Sequence, residues 1–418
     1  MGIVRYPVEC PGCREKILLR LGVGLDERQP FFYVCPKCHA ATRGALLWHG
    51  GAPTSLELSD GRELAATAKC SSALSINPEF PAVPTARSMA EPGGSAFLMF
   101  SGLLPGKSLM AYLDVTRGIR PVLKKQWPAV ERLTTYYLNR DWPHFDRAAK
   151  GFLPSKMKRS AHEWQRDDLT HRLYDTLFIP LLVLDGTMYY PEMKREFNEL
   201  WTHTRPNFSA VRAYAKSEAD AEDFRAVHQD LFQHIARYIR LLGAVLPGLL
   251  CNMLPGEHQP KIEGWRLFRD DYELLRDLYI QAFETCHKAL RWVIGTVNAD
   301  AHGDANKFAA TAAVTTHGIK KTPTSLDSFD HLPSAEKRKW LGLLPVWDRH
   351  WDDLFDRHLR NDIGHAAAHH DLPSGMIRRD KKHALPYTRF VQRTQRLIHG
   401  LIVTVNALKM VRVYSVLR

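Results

Sequence analysis

Two short repeats near the N-terminus restrict this chain more than any other feature: Cys10-Pro-Gly-Cys13 and Cys35-Pro-Lys-Cys38. Each puts two thiols on one tight turn, and proline presets part of the turn backbone. The 21 residues between the pairs are enough for a hairpin that carries one turn to the other. Four thiolates at tetrahedral corners are the ligand set of a structural zinc ion, and a closed four-sulfur shell leaves no open position for chemistry. Cys10, Cys13, Cys35 and Cys38 are therefore expected to hold one structural Zn2+ in a zinc ribbon. The other three of seven cysteines, Cys70, Cys251 and Cys286, are scattered, which does not suit a secreted disulfide framework.

The residues around the pairs read as short strands. VECPGC, KILLRLGV, FFYVCPKC and ALLWHG alternate apolar and polar positions or carry β-branched and aromatic side chains. SLELSDGREL reads as a further hairpin turning at Asp60-Gly61. From about 73 to 105 the composition shifts to Pro, Gly, Ser and Ala without a period, as in a linker. Beyond it the chain is mostly helical, with pieces such as VLKKQWPAVERLTTYYL and RLYDTLFIPLLVLD. Four apolar stripes then recur at spacings of three and four. They are Phe224 to Val245, Leu275 to Val293, Trp340 to His358 and Val391 to Leu408. The expected fold is mainly α: a small β zinc ribbon (1–72), a linker (73–105), a helical middle region (106–205) and a C-terminal helical bundle (206–418).

No signal-peptide core opens the sequence, and no stretch reads as a membrane span. Leu241 to Leu254 comes nearest and is broken by Pro247 and Gly248. The expectation is a cytoplasmic protein without membrane contact. Its net charge is +12, and the last 59 residues hold eleven Lys or Arg against three Asp. That excess fits either a solvated basic face or a surface for a polyanion such as RNA.

The sharpest signal outside the cysteines is LRNDIGHAAAHHD, from Leu359 to Asp371. Asn361 and Asp362 are good N-cap residues, so a helix opening at Asp362 is expected, with His365 in its first turn and Arg360 just before it. Backbone N–H groups, a guanidinium and an imidazole would then face one volume suited to phosphate.

Here the sequence resembles the HEPN family, all-helical domains that include many ribonucleases of toxin–antitoxin, CRISPR-linked and phage-defence systems. Their motif is an arginine, often followed by a polar residue, then a histidine after four to six intervening residues; Arg360, Asn361 and His365 match it. The resemblance covers about 206–418 as an architecture and six residues as a motif. It implies a metal-independent endoribonuclease in which a homodimer pairs two copies of the motif. His365 would be the acid/base, Arg360 the phosphate clamp and Asn361 a positioning group. It also implies a role in antiviral defence or toxin-type growth arrest, with a phage or regulatory protein as trigger. Two other readings stand beside it. One is a non-catalytic regulator that binds RNA or protein. The other is a metal-dependent hydrolase, since His365 and His369 are spaced to share a helix face with Asp362 or Asp371 in support.

Overall fold

The computed structural model describes residues 2–24, 26–48, 54–82, 96–152, 195–196, 198–200, 207–309, 318, 322–379 and 384–416. The fold is mainly α. Two compact units interleave along the chain. The first comprises Met1–Gly118, Leu241–Asp277 and Asn361–Arg396, and the second Ile119–Arg240, Leu278–Arg360 and Leu397–Arg418.

Among the described residues, the first unit holds ten short strands. β1 (Ile3–Glu9) and β2 (Lys16–Gly22) form an antiparallel pair with Glu9 opposite Lys16. β3 (Arg28–Val34) and β4 (Ala41–Leu47) form a second, with Val34 opposite Ala41. Each pair is closed by one Cys-Pro-x-Cys turn. β2 shows the period of two that the sequence carries: Ile17, Leu19 and Leu21 are buried. β5 (Ser55–Leu58) adds to β4, whereas β6 (Arg62–Glu63) adds to β1. The expected hairpin at Asp60-Gly61 is therefore only a turn. Its two arms enter different sheets because each has a better-matched neighbour. Gly61 makes that turn possible: its φ is +98°, and a Cβ there would lie 2.9 Å from the Glu9 carbonyl.

β7 (Ser72–Ile76) joins β2 in parallel and completes the order β6-β1-β2-β7. The expected linker thus opens with a strand and ends in α1 (Ala96–Leu103), with 83–95 outside the described residues. α2 (Gly106–Asp114) follows. Much later in the chain, α7 (Leu242–Met253) and the small sheet β10-β9-β8 belong to this unit. That sheet comprises β8 (His369–Asp371), β9 (Met376–Arg378) and β10 (Ala384–Pro386). The core of the N-terminal sheets, with Val8, Ile17, Leu19, Phe31, Phe32 and Tyr33, includes two residues distant in sequence, Phe268 and Leu372.

The second unit is helical. α3 (Arg120–Leu138), α4 (Trp142–Phe152), α5 (Phe208–Glu218) and α6 (Glu222–Arg240) precede α8 (Tyr272–His302), whose later turns lie here. Then come the short α9 (Leu326–Asp330) and α10 (Ser334–Lys339), α11 (Pro345–Leu354), the first turn of α12 (Arg357–Gly364) and the later turns of α13 (Tyr387–Val416). RLYDTLFIPLLVLD and His317 lie outside the described residues, whereas His302 ends α8.

Two of the four apolar stripes are single helices: Leu275 to Val293 is buried along α8, and Val391 to Leu408 along α13. The other two are cut. The Phe224 stripe ends with α6 at Arg240, and α7 starts afresh at Leu242. The Trp340 stripe runs through a 3-10 turn, α11 and α12. Pro345 causes the first of those breaks, because it lacks the N–H that would continue a preceding helix and suits a first helical turn instead. α13 is also long and apolar enough to pass as a membrane span, contrary to the sequence expectation, yet its apolar window is wholly buried in the protein.

Candidate functional site

The four cysteines converge. Cys10 Sγ lies 3.6 Å from Cys38 Sγ, and Cys13 Sγ lies 3.6 Å from Cys35 Sγ. All four sulfurs fall within 4.8 Å of one another, and none is in a disulfide. Metal–sulfur arms of ~2.3 Å at tetrahedral corners give edges of about 3.8 Å, so the donor set fits one tetrahedral metal ion.

The two turns are built alike. In the first, the Cys10 N–H donates to the Glu15 carbonyl and the Arg14 N–H to the Cys10 carbonyl. In the second, the Cys35 N–H donates to the Ala40 carbonyl and the His39 N–H to the Cys35 carbonyl. Arg14 and His39, each just after the second cysteine of its pair, both adopt positive φ, 59° and 60°. The two turns thus share one backbone geometry. The backbone N–H of Ala40 draws the Cys38 thiol down to about 7, toward the thiolate a metal requires. Burial pushes the Cys35 thiol up to about 12.

The second candidate is the segment through α12, and its local structure differs from the expectation. The helix starts a turn earlier. Asp356 is its cap: Oδ1 accepts from the Leu359 N–H at 3.0 Å, and its carbonyl accepts from the Arg360 N–H at 2.9 Å. The Asp356 N–H in turn donates to the Tyr279 hydroxyl at 3.0 Å. Asn361 and Asp362 therefore lie inside the helix. Gly364 ends it, and His365 is the first residue beyond, with its carbonyl accepting from the Ala368 N–H. No helix opens at Asp362, because Asp356 already satisfies the first free N–H groups. Asp362 instead accepts from Arg379 at 3.0 Å.

Arg360 is held by Glu284 of α8, whose Oε1 accepts from Nε at 2.8 Å. The pair is half-exposed, at 36% and 39% of the side chains, so solvent reaches the guanidinium. Asn361 and His365 are exposed. His365 and His369 share no helix face, since His369 lies in β8 with its Nδ1 against the Ala367 carbonyl. His370 is buried beside Asp270, which also receives Arg43 of β4. Among the described residues, the cysteines form the one cluster of three or more side chains arranged to hold a metal.

Among the described residues, the basic excess of the last 59 residues does not form one open face. Arg378 pairs with Asp371, Arg379 with Asp362 and Arg389 with Glu263, while Lys409 and Arg412 are buried along α13. The sequence reading missed Glu284, Tyr279 and Asp356. The first two carry no local signal, because their roles come from pairings made 76 and 77 residues away along the chain. Asp356 did carry one: an aspartate before the Arg357 turn is an ordinary cap signature.

Compared with protein-family models, with curated proteins and with solved structures, the chain matches none.

Proposed function

We propose that this protein is a metal-independent endoribonuclease of the HEPN type, working as a homodimer, with a structural zinc ion on Cys10, Cys13, Cys35 and Cys38. The observation that carries the reading is the Glu284–Arg360 pair. A guanidinium fixed on one side by a carboxylate, yet open to solvent, is preorganised to receive a phosphate. Exposed Asn361 follows it directly, and exposed His365 sits just past the helix end.

RNA supplies its own nucleophile. A base takes the proton from the 2′-hydroxyl, O2′ attacks phosphorus, and the 5′-oxygen leaves with a proton from an acid. The products are a 2′,3′-cyclic phosphate and a 5′-hydroxyl, and water can later open the ring to a 3′-phosphate. Imidazole ordinarily titrates near neutrality and serves in either proton role. Arg360 offsets the charge that builds on the phosphorane. One motif has one histidine, whereas the reaction uses an acid and a base, so a two-fold dimer contributes the second. Arg360 closes the first turn of α12, whereas Asn361 lies in its C-terminal half and His365 beyond its end, where the helix dipole is negative. The phosphate is therefore met by the arginine side chain and not by free helix N–H groups.

The ribbon metal takes no part in these steps; bound, it holds the two turns together. RNA as partner, an RNase toxin or antiviral role and a protein trigger rest on the resemblance.

The test is total RNA incubated with pure protein in EDTA, beside the His365→Ala variant, with the new ends mapped and the bound metal measured in the same samples. Wild type should leave 2′,3′-cyclic or 3′-phosphate ends, and the variant should lose at least 100-fold in rate, on the order of one general acid–base contribution. A His365→Ala protein that cuts as fast as wild type removes the assignment.

A further inference from the structure

The second unit contains a cavity of about 440 Å³, inside the ~300–1,000 Å³ range of small-molecule sites. Its floor is aromatic. Phe283 of α8 stacks on His287 at 4.1 Å between centroids, and Trp351 of α11 meets Phe355 at 4.5 Å. His287 adds no charge to this floor. Its Nδ1–H donates to the Phe283 carbonyl at 2.7 Å, Nε2 accepts from the Trp351 indole at 3.4 Å, and burial holds its pKa down at about 4.

The rim carries three cations and two carboxylates, Asp352 and Asp356. Arg338 and Lys339 come from α10, and Arg357 opens α12. Arg338 is spoken for: two of its nitrogens reach the two oxygens of Asp352, at 2.8 and 2.7 Å. Lys339 pairs with Glu336 at 2.8 Å. Arg357 is exposed, and no carboxylate among the described residues pairs with it. An aromatic floor beside a guanidinium with no carboxylate partner among the described residues suits a ligand that is aromatic at one end and anionic at the other, which is the chemistry of a nucleotide.

The cavity's place in the fold specifies the source. Arg357 precedes Arg360 by three residues on α12, about 4.5 Å along the axis. Phe283 immediately precedes Glu284, the carboxylate that holds Arg360. A chain whose phosphate lies on Arg360 therefore has this cavity beside it.

We infer that the cavity seats one nucleotide of the RNA adjacent to the scissile phosphate, base on the aromatic floor and phosphate on Arg357. The inference rests on the ribonuclease reading, and it can fail separately from it.

The experiment is calorimetric titration of the full chain with each of the four nucleoside monophosphates, with inorganic phosphate and with an RNA oligonucleotide blocked by 2′-O-methyl groups. At least one mononucleotide should bind ten times more tightly than inorganic phosphate, and the blocked oligonucleotide should displace it. Arg357→Ala and the cavity-filling Ala335→Trp should each weaken mononucleotide binding at least tenfold with an unchanged circular dichroism spectrum. His365→Ala should bind as wild type.

Equal binding of phosphate and nucleotides would reduce the site to a charged patch and overturn the inference. So would wild-type binding by both rim and filling variants, or failure of the oligonucleotide to compete. Cleavage without nucleotide binding leaves the ribonuclease reading standing and removes only the subsite. Nucleotide binding without cleavage removes the ribonuclease reading and, with it, the subsite's place beside a scissile phosphate.

Discussion

The cysteine cluster and the α12 segment are both marked by a few residues in a short motif, but they are specified in different ways. The cluster is determined locally. Each Cys-Pro-x-Cys turn closes a strand pair, makes its own hydrogen bonds and places its positive-φ residue at the same position. The α12 segment is determined from a distance. Its cap residue is tied to Tyr279 and its arginine to Glu284, both on a helix that begins some eighty residues upstream. Spacing alone therefore suffices to bring the four cysteines together, whereas the α12 segment needs its tertiary partners before its geometry can be read.

The largest effect should come from the local site. Structural zinc contributes about 10–16 kcal/mol of apparent binding free energy in small modules at neutral pH, more than most domains have in total stability. Purified protein should carry one equivalent of metal by elemental analysis. Cys35→Ser should carry none and should lose amide-exchange protection across β1 to β4. A Cys35→Ser protein that keeps that protection would mean the turns need no metal, and the contrast with α12 would collapse.

Next in size is a buried histidine of the helical unit. His287 titrates near 4 in the fold because burial disfavours its charge, against about 6.5 in an unfolded chain. Folding thus prefers the neutral ring. Its contribution is complete above pH 6.5 and erodes as the pH falls from 6.5 to 4, by up to about 3 kcal/mol. Urea titrations across that window should show the loss in wild type, and His287→Phe should flatten it. An identical slope in both proteins would mean the ring is not the group that titrates.

A smaller effect separates Arg360 from its support. Glu284→Gln keeps the shape but removes the charge on a half-exposed pair, so about 1 kcal/mol of orientation is at stake. The expected result is a fall in RNA cleavage of about fivefold to tenfold with little change in stability. Arg360→Lys should lose more, because an ammonium cannot grip carboxylate and phosphate with a planar fork. Equal activity in Glu284→Gln and wild type would show that Arg360 needs no distant partner.

How far the sequence was legible follows the same division. The N-terminal strands are readable because each carries its own period of two and its own turn. The stripes of α8 and α13 were readable because nothing interrupts them. The Trp340 stripe reads like one helix because its apolar spacing survives the break at Pro345: Trp340, Trp347 and Trp351 are all buried, though they lie in a 3-10 turn and a separate helix. Asp60-Gly61 was read correctly as a turn and wrongly as a hairpin, since partner choice depends on which strands have open edges. Arg360, Asn361 and His365 could be picked out, but not the carboxylate that holds the arginine.

The smallest prediction bears most directly on that misreading. Two aspartates compete as the cap of α12, and the sequence favours Asp362, which precedes an apparent helical run, whereas the fold uses Asp356. A side-chain cap contributes about 1 kcal/mol, and asparagine serves nearly as well as aspartate. Asp356→Ala should therefore cost about 1 kcal/mol in urea unfolding, and Asp356→Asn almost nothing. Asp362→Ala removes only the ion pair with Arg379 and should cost under about 0.5 kcal/mol, with the remainder sensitive to salt. The reverse order, with Asp362→Ala the costly variant and Asp356→Ala silent, would place His365 back in a first helical turn. It would also return the phosphate to backbone N–H groups, and Glu284 would lose its claim to shape the site.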